Sequence, residues 1–381
     1  MFFTTFFKMK KVFFCILAAA MLTGCKGQVA FVMDELVVYS VETTDNSLSW
    51  DKFVEKIEII PLETNLGSII GELFKGIVVD DDVYIFDFQN QLLLNFDISG
   101  KFKRTISGKG RGPEEYFEAR DFSVVGDNIY ILDYQRIHSF CRITGKKKET
   151  WSFDTGDNFN PANMCIFDKN NYFLWDSNPF TRNPKDGVFY KLHRMQENEV
   201  LERFFKYEYP LWDEPRRFYM IDKLSCYIRP IDGEDIVYKI TKDSLIASFK
   251  IDFGRMAVTV PELKEVRDIS QRNAYFHSNK FKSISNVFEV MNYIYFSCIG
   301  PNGFKYHGLI CKATGNVNFE VTRVSPVFFA SDGIYLYGYY DQFSIETLNK
   351  NNVQHFFDSV WLGENQYDIE DNMVLVKVLL K

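Results

Sequence analysis

Between Ile77 and Trp151 one pattern of short apolar runs, turns and aromatic residues is written twice. The first copy reads VVDDDVYIFDFQNQLLLNFDISGKFKRTI and the second VVGDNIYILDYQRIHSFCRITGKKKETW, so Tyr84 answers to Tyr130, Asp87 to Asp133 and Gly100 to Gly145. The step is about 46 residues, the length of one propeller blade. In the first copy Ile77 to Val79 and Val83 to Phe86 are β-prone runs separated by Asp80, Asp81 and Asp82, which favour a turn by bonding their own backbone. Leu92 to Phe96 makes a third run, Ser99 and Gly100 turn the chain, and Phe102 to Ile106 makes a fourth. The second copy repeats that order, ending in a strand near Glu149 to Phe153. A lone four-stranded sheet leaves both apolar faces wet, so each copy demands neighbours stacked on either side.

The copies are joined by GKGRGPEEY, Gly108 to Tyr116. Glycines at alternate positions permit backbone conformations closed to other residues, which suits a link from the outer edge of one blade to the inner strand of the next. Exposed NH groups with Lys109 and Arg111 also suit an anion. The dinucleotide version of that motif needs a crossover helix, and only about nine residues separate Pro113 from Phe122.

At the N-terminus Lys8, Lys10 and Lys11 precede a short apolar stretch, Val12 to Met21, ending in Leu22-Thr23-Gly24-Cys25. About ten apolar residues are too few to span a bilayer, so residues 1–24 are expected to be a signal peptide. The ending resembles the bacterial lipobox, which implies a lipid on Cys25. Met9 begins a more usual signal, leaving Met1 and Met9 as alternative starts. Residues 25–50 then form a tether and residues 51–381 the folded body. The expected address is the cell envelope, at the outer membrane, with periplasmic or surface facing left open because no acidic run follows Cys25. Formal charge is −7, and removing the signal lysines leaves about −10, which argues against a nucleic-acid or anionic-lipid partner.

Aromatic residues make up 17% of the chain, a fraction suited to sheet-on-sheet packing, and no linker divides the roughly 356 residues after Cys25. Repetition allows one domain of that size. Met164 to Trp175, Gly187 to Arg194 and Val200 to Phe205 form an expected third blade; Cys226 to Phe253 a fourth; Asn286 to Cys298, Gly308 to Lys312 and Val317 to Val321 a fifth. Pro326 to Ala330, Ile334 to Tyr339 and Met373 to Leu380 supply three strands of a sixth, and Ile57 to Leu62 its fourth, closing the ring. The fold class is therefore all-β: a six-bladed β-propeller of four-stranded antiparallel blades with short helical insertions. Seven blades is the alternative if Tyr207 to Tyr219 holds a degenerate unit. Helices are expected over Pro261 to Tyr275 and, more weakly, Ile345 to Val360, packed on the rim. Of the cysteines after Cys25, Cys298 and Cys311 flank a loop containing Pro301, Asn302 and Gly303, and facing each other across a hairpin is the alternative for that pair; free buried thiols are the default.

The runs VYIFD, NFDISGKF, GKGRGPEEYFEARDFSV and NIYILD, with the later IVYKITKDSLIASFKIDFG and DNMVLVKVLLK, resemble the NHL-like six-bladed β-propeller lipoproteins of Bacteroidetes. The similarity spans nearly all of the mature chain and is strongest from Ile57 to Trp151. Phe140-Cys141-Arg142 departs from the expected Phe-Asp of that pattern. The resemblance implies a propeller and transfers no catalytic residue. Related six-bladed folds include lactonases and amidating lyases that hold calcium or zinc.

His138, His193, His277, His307 and His355 show no paired metal-ligand spacing, and no Gly-x-Ser-x-Gly elbow appears. Asp87 and Asp133 are expected to accept backbone NH groups at a turn, as is the trio Asp80 to Asp82. No catalytic residue, metal ligand or cofactor is identified. What remains is recognition. Trp175, Asn178, Arg182, Tyr209, Trp212, Arg216, Arg217 and Tyr219 lie in two irregular stretches rich in aromatic and arginine side chains, which suit stacking on sugars or peptide groups. Of these, Trp175, Arg182, Trp212, Arg216, Arg217 and Tyr219 are the candidate ligand-binding residues. The expected function is a cell-envelope lipoprotein whose propeller binds or scaffolds a protein, peptide or glycan. The alternative is an envelope hydrolase or lyase with a divalent metal in the channel.

Overall fold

The computed structural model describes residues 30–32, 36–41, 50–155, 159–176, 187–207, 217–228, 233, 235–266, 269–282, 284–321, 325–349 and 371–381. The lead segment gives β1 (Ala30–Val32), β2 (Val37–Ser40), the single turn α1 (Trp50–Phe53) and β3 (Val54–Pro61). Blade 1 is β4 (Leu73–Val79), β5 (Asp82–Asp87), β6 (Leu92–Asp97) and β7 (Phe102–Gly108). Blade 2 is β8 (Ala119–Val125), β9 (Asn128–Asp133), β10 (Arg136–Cys141) and β11 (Lys147–Ser152). Blade 3 is β12 (Pro161–Asp168), β13 (Asn171–Asp176), β14 (Phe189–Gln196) and β15 (Glu199–Tyr207). Blade 4 is β16 (Phe218–Asp222), β17 (Ser225–Ile228), β18 (Ile236–Thr241) and β19 (Ser244–Asp252), with β1 and β2 added in parallel along the outer edge of β19. After α2 (Val260–Lys264) and α3 (Ile269–Phe276), blade 5 is β20 (Ile284–Val290), β21 (Tyr293–Ile299), β22 (Lys305–Cys311) and β23 (Val317–Val321). Blade 6 takes β24 (Val327–Ser331), β25 (Tyr335–Tyr340) and, after α4 (Gln342–Asn349), β26 (Val374–Leu380), and is completed by β3.

The six first strands, β4, β8, β12, β16, β20 and β24, contact one another in ring order and enclose a central channel. Turns joining first to second and third to fourth strands emerge on one side, the turn face. Turns joining second to third strands, and the links between blades, emerge on the other, the link face. Each apolar cluster lies between sheets. Val83 and Ile85 pack with Phe329 and Tyr337 of blade 6, while Tyr84 and Phe86 pack with Phe122 and Ile131 of blade 2. That double burial is why β5 reads as a continuous apolar run.

Three second strands end in aspartate, and each carboxylate is buried and serves the backbone of the link that enters its own blade. Asp87 accepts from Gly71 N at 2.9 Å and Glu72 N at 3.0 Å. Asp133 accepts from Phe117 N and Glu118 N, both at 3.1 Å, and lies 3.1 Å from His138 Nε2. Asp176 accepts from Asn160 N at 3.3 Å. The acceptor role expected for Asp87 and Asp133 is the one they play, and blade 3 carries it as well.

The Gly108 to Tyr116 link runs directly into β8 with no helix between. Both of its inner glycine NH groups are engaged within the link: Gly112 N donates to Glu115 Oε2 at 2.6 Å and Gly110 N to the Tyr116 carbonyl at 2.9 Å. The expected strands of blades 3, 5 and 6 are present. Blade 4 begins earlier than Cys226, because Phe218–Asp222 forms its inner strand and pairs with Ser225–Ile228. That strand absorbs the end of the stretch from which a seventh blade could have come, and the ring closes at six. The helix expected over Pro261 to Tyr275 divides into α2 and α3, while the second insertion begins as α4, its continuation from residue 350 lying outside the described residues. Cys298 pairs in register with Tyr306 and Cys311 with Tyr293, so the two thiols are displaced along the hairpin and do not face. Cys165 and Cys226, from blades 3 and 4, bring their sulfurs to 2.9 Å instead.

Burial alone would raise the Asp133 carboxyl, but His138 and the NH groups of Phe117 and Glu118 outweigh it and hold its pKa below the ordinary value. A carboxylate held low contributes stability that is complete above its unfolded pKa, near about 4, and is lost as pH falls through the folded value. Asp133→Asn should therefore flatten the acid limb of the stability curve, and Asp87→Ala should cost about 3 kcal/mol at neutral pH by stranding buried NH groups. Urea titrations across the acid range check both; parallel pH profiles for Asp133→Asn and wild type would remove the carboxylate from the account.

Candidate functional site

The channel holds a cavity of about 450 Å³, bounded by first-strand residues of all six blades. Its polar end is set by a repeated irregularity. β4, β8, β12 and β20 each carry a bulge just inside the link face, and the residue after it is Lys75, Asp121, Asn163 or Asn286. A bulge bends a strand and re-aims the next side chain. Lys75, Asp121 and Asn163 line the cavity at this level, and Arg217, immediately before β16, joins them.

Asp121 knits three blades together. It is 1% exposed, pairs with Lys75 Nζ at 2.7 Å through Oδ1, and accepts from Met164 N at 2.7 Å through Oδ2. Lys75 also donates to the Phe122 carbonyl at 2.8 Å. Burial pushes the Asp121 carboxyl above its ordinary value, opposed by the Lys75 ammonium and the NH groups of Met164 and Phe122. Beyond this level the walls are mostly apolar: Ile77, Val78, Val124, Met220, Phe288 and Phe329. At the opposite end Asp80, Gly126, Asp222, Lys223, Asp332 and Ile334 border the cavity and are exposed, so it opens at the turn face.

The structure brings together three of the residues expected to bind. Trp175 is buried opposite Asn163 in register, and the Arg217 guanidinium lies 4.9 Å from its ring centroid. Tyr219, also buried, borders the cavity, packs edge-on to Phe288 at 5.3 Å and donates to the Ser285 carbonyl. Trp175 supports Arg217 from behind and does not itself line the cavity. Arg182, Trp212 and Arg216, like Asn178, Tyr209 and the lipobox Cys25, lie outside the described residues. Sequence reasoning missed Lys75, Asp121 and Asn163. The signal was present for two of them, since Lys75 and Asp121 stand one repeat step apart with opposite charges.

Four of the five histidines are described. His138 lies 2.8 Å from Thr150 Oγ1 as well as near Asp133; His307 is held between Tyr295 and Ser325 at 2.8 Å each; His193 stacks on Phe159; His277 is exposed. None is bonded to Ser123 or Ser331, the hydroxyls that line the cavity. Among the described residues no group of three or more His, Cys, Asp or Glu is placed to hold a metal ion.

Fold and channel together define a six-bladed β-propeller with an axial cavity that reaches the turn face. The chain belongs to the family described as "Domain of unknown function (DUF4934)", whose model matches residues 36–378. Among solved structures it is similar to a Bacteroides fragilis protein described as a candidate exported protein, with 16% identity, a TM-score of 0.74, and coverage of 91% of this chain and 99% of that one. It is also similar to a member of the duf4221 family from Bacteroides vulgatus, with 13% identity, a TM-score of 0.50, and coverage of 86% and 97%. At these identities the likeness is one of fold. Comparison with curated proteins gives no match.

Removing one partner of a buried ion pair leaves an uncompensated charge, whereas replacing both removes the problem. Asp121→Ala is expected to cost about 3–5 kcal/mol, and the double variant Lys75→Met/Asp121→Leu to recover most of that loss. Chemical denaturation of the two variants measures it; additive losses would mean that the pair is not coupled.

Proposed function

We propose that the protein is an exported, lipid-anchored binding module of the cell envelope that holds a peptide segment in its propeller channel. The observation that carries this is the cavity itself: about 450 Å³, walled by Val78, Val124, Phe288 and Phe329, with Lys75, Asp121, Asn163 and Arg217 gathered at the inner end. That volume falls in the range of small-ligand sites, which combine apolar walls with a few convergent polar groups. Apolar walls suit side chains, and the inner residues offer both donors and an acceptor to a peptide backbone or chain end. The lipobox at Leu22 to Cys25, the NHL-like lipoprotein resemblance and the exported Bacteroides neighbour support the address. Against a hydrolase or lyase, no group of three or more His, Cys, Asp or Glu among the described residues is placed to hold a metal ion, and neither serine of the channel, Ser123 or Ser331, is bonded to a histidine.

A ligand that binds only the folded state raises apparent stability, by about 2.7 kcal/mol at a hundredfold excess over Kd. Purified protein screened by thermal shift against peptide, glycan and divalent-ion sets should respond to peptides, and Met220→Trp, which fills the channel, should abolish the response while leaving the unliganded melting temperature near wild type. A response confined to glycans or to metal ions overturns the peptide assignment.

A further inference from the structure

We propose that the turn face lies against the bilayer that carries the anchor, so that the mouth of the channel opens toward the lipid surface. This rests on lipidation of Cys25 as proposed above. The N-terminal strands fix the geometry. β1 runs parallel to β19, and Ala30 pairs with Ser244, the first residue of that strand. Ser244 follows the turn Lys242–Asp243, whose lysine pairs with Asp168 at 3.1 Å, at the turn-face end of β12. Ala30 therefore sits where blades 3 and 4 meet the turn face. Four residues, 26–29, separate it from Cys25. Fully extended, that connection reaches about 17 Å, less than the roughly 20 Å length of a six-residue strand that separates the two faces. An anchor so placed brings the turn face to the membrane and leaves the link face away from it.

The turn face has the side chains for such a contact. Ile143, Leu224, Met291 and Ile334 project from turns of blades 2, 4, 5 and 6 and are 66%, 76%, 38% and 55% exposed. Lysines and aspartates alternate around them, Lys223 beside Asp222 and Lys242 beside Asp243, so the face carries no single sign of charge and does not depend on anionic lipid. Apolar exposure does not by itself choose this face, since the link face exposes Leu66, Phe88, Phe117 and Phe304 as well. What gives the turn-face four a partner is the short tether beside them. Ile334 and Lys223 also border the cavity, so the mouth lies within the same contact zone. A peptide entering the channel would then be one held close to the membrane, such as the segment flanking another anchor or span.

The full chain, exported with its own signal, is purified, its mass read for a diacylglyceryl cysteine, and reconstituted into phosphatidylethanolamine–phosphatidylglycerol vesicles. A fluorophore is placed singly at Leu224→Cys or Ile143→Cys on the turn face, and at Phe117→Cys or Phe88→Cys on the link face, in a Cys141→Ser/Cys311→Ser background. Nitroxide lipids should quench the turn-face labels several-fold more than the link-face labels. Equal quenching, or stronger quenching at Phe117→Cys, in a protein of lipidated mass overturns the orientation and leaves the anchor standing. An unlipidated mass overturns the anchor and the orientation with it.

Discussion

The ring depends on one antiparallel pairing between the two ends of the folded body. β26 meets β3 in register from Val374 opposite Pro61 to Leu380 opposite Val54, and blade 6 has no fourth strand without it. An open array would expose strand edges and the apolar faces of blades 6 and 1 together. The closure is reinforced locally. Asn372 accepts from Ile70 N at 2.9 Å and donates to the Glu63 and Ser68 carbonyls at 2.8 Å each, tying the approach to β26 to the link that leaves β3. Gly100, with φ of +88°, lets blade 1 approach the Pro61 carbonyl where a Cβ would collide. Trp50, 2% exposed, wedges between Tyr295 of blade 5 and Phe328 of blade 6.

Closure also decides what the channel can be. Once six first strands face a common axis, the side chains after the bulges of β4, β8 and β12 are delivered to one level of the channel, and their chemistry is set blade by blade. Burial requires those groups to satisfy one another. Lys75, Asp121 and the Met164 NH do so across blades 1, 2 and 3, which makes the polar end of the cavity part of the inter-blade contact as well as part of a site. Arg217 stacked on Trp175 serves the same double purpose between blades 3 and 4. The rest of the wall needs no such pairing and is free to be apolar.

The fold was legible because a blade buries both faces of its middle strands and must turn sharply at fixed intervals. VYIFD and NIYILD, with Gly100 and Gly145 both at positive φ, record those demands directly in residue type. The closing strand was legible for a related reason: Ile57 to Leu62 is apolar with no local partner. Blade 4 was harder. FYMID is short and follows a run of arginines and aromatics, and the second strand after it ends in Ile228 instead of an aspartate, so its inner strand was hidden inside what read as an irregular stretch. The site was less legible than the fold because its residues are scattered one per blade. Trp175, Arg217 and Tyr219 were singled out as surface-stacking groups, yet all three are buried, and two of them meet the channel through their blades' inner edges. Lys75 and Asp121 stand in copies of the same strand, but only knowledge that first strands converge would set them side by side. Cys165 and Cys226 show the same limit, since 61 residues of sequence separate two sulfurs that the ring brings into contact.

Both N-terminal docking events occur on outer edges. β3 adds to the rim of blade 6 and β1 and β2 to the rim of blade 4, so neither obstructs the axis. This division has a physical basis. Inner strands converge and leave no edge on which another strand could pair along the channel, while outer strands diverge and present unpaired NH and carbonyl groups to the surroundings. A chain that enters from one side must therefore travel around the ring before it can close it. Trp50, on the lead-in to β3, is wedged between blades 5 and 6 and braces that closure. Two separate segments therefore do two jobs: β3 completes the ring on blade 6, while β1, with Ala30 opposite Ser244, is held at the turn-face end of blade 4.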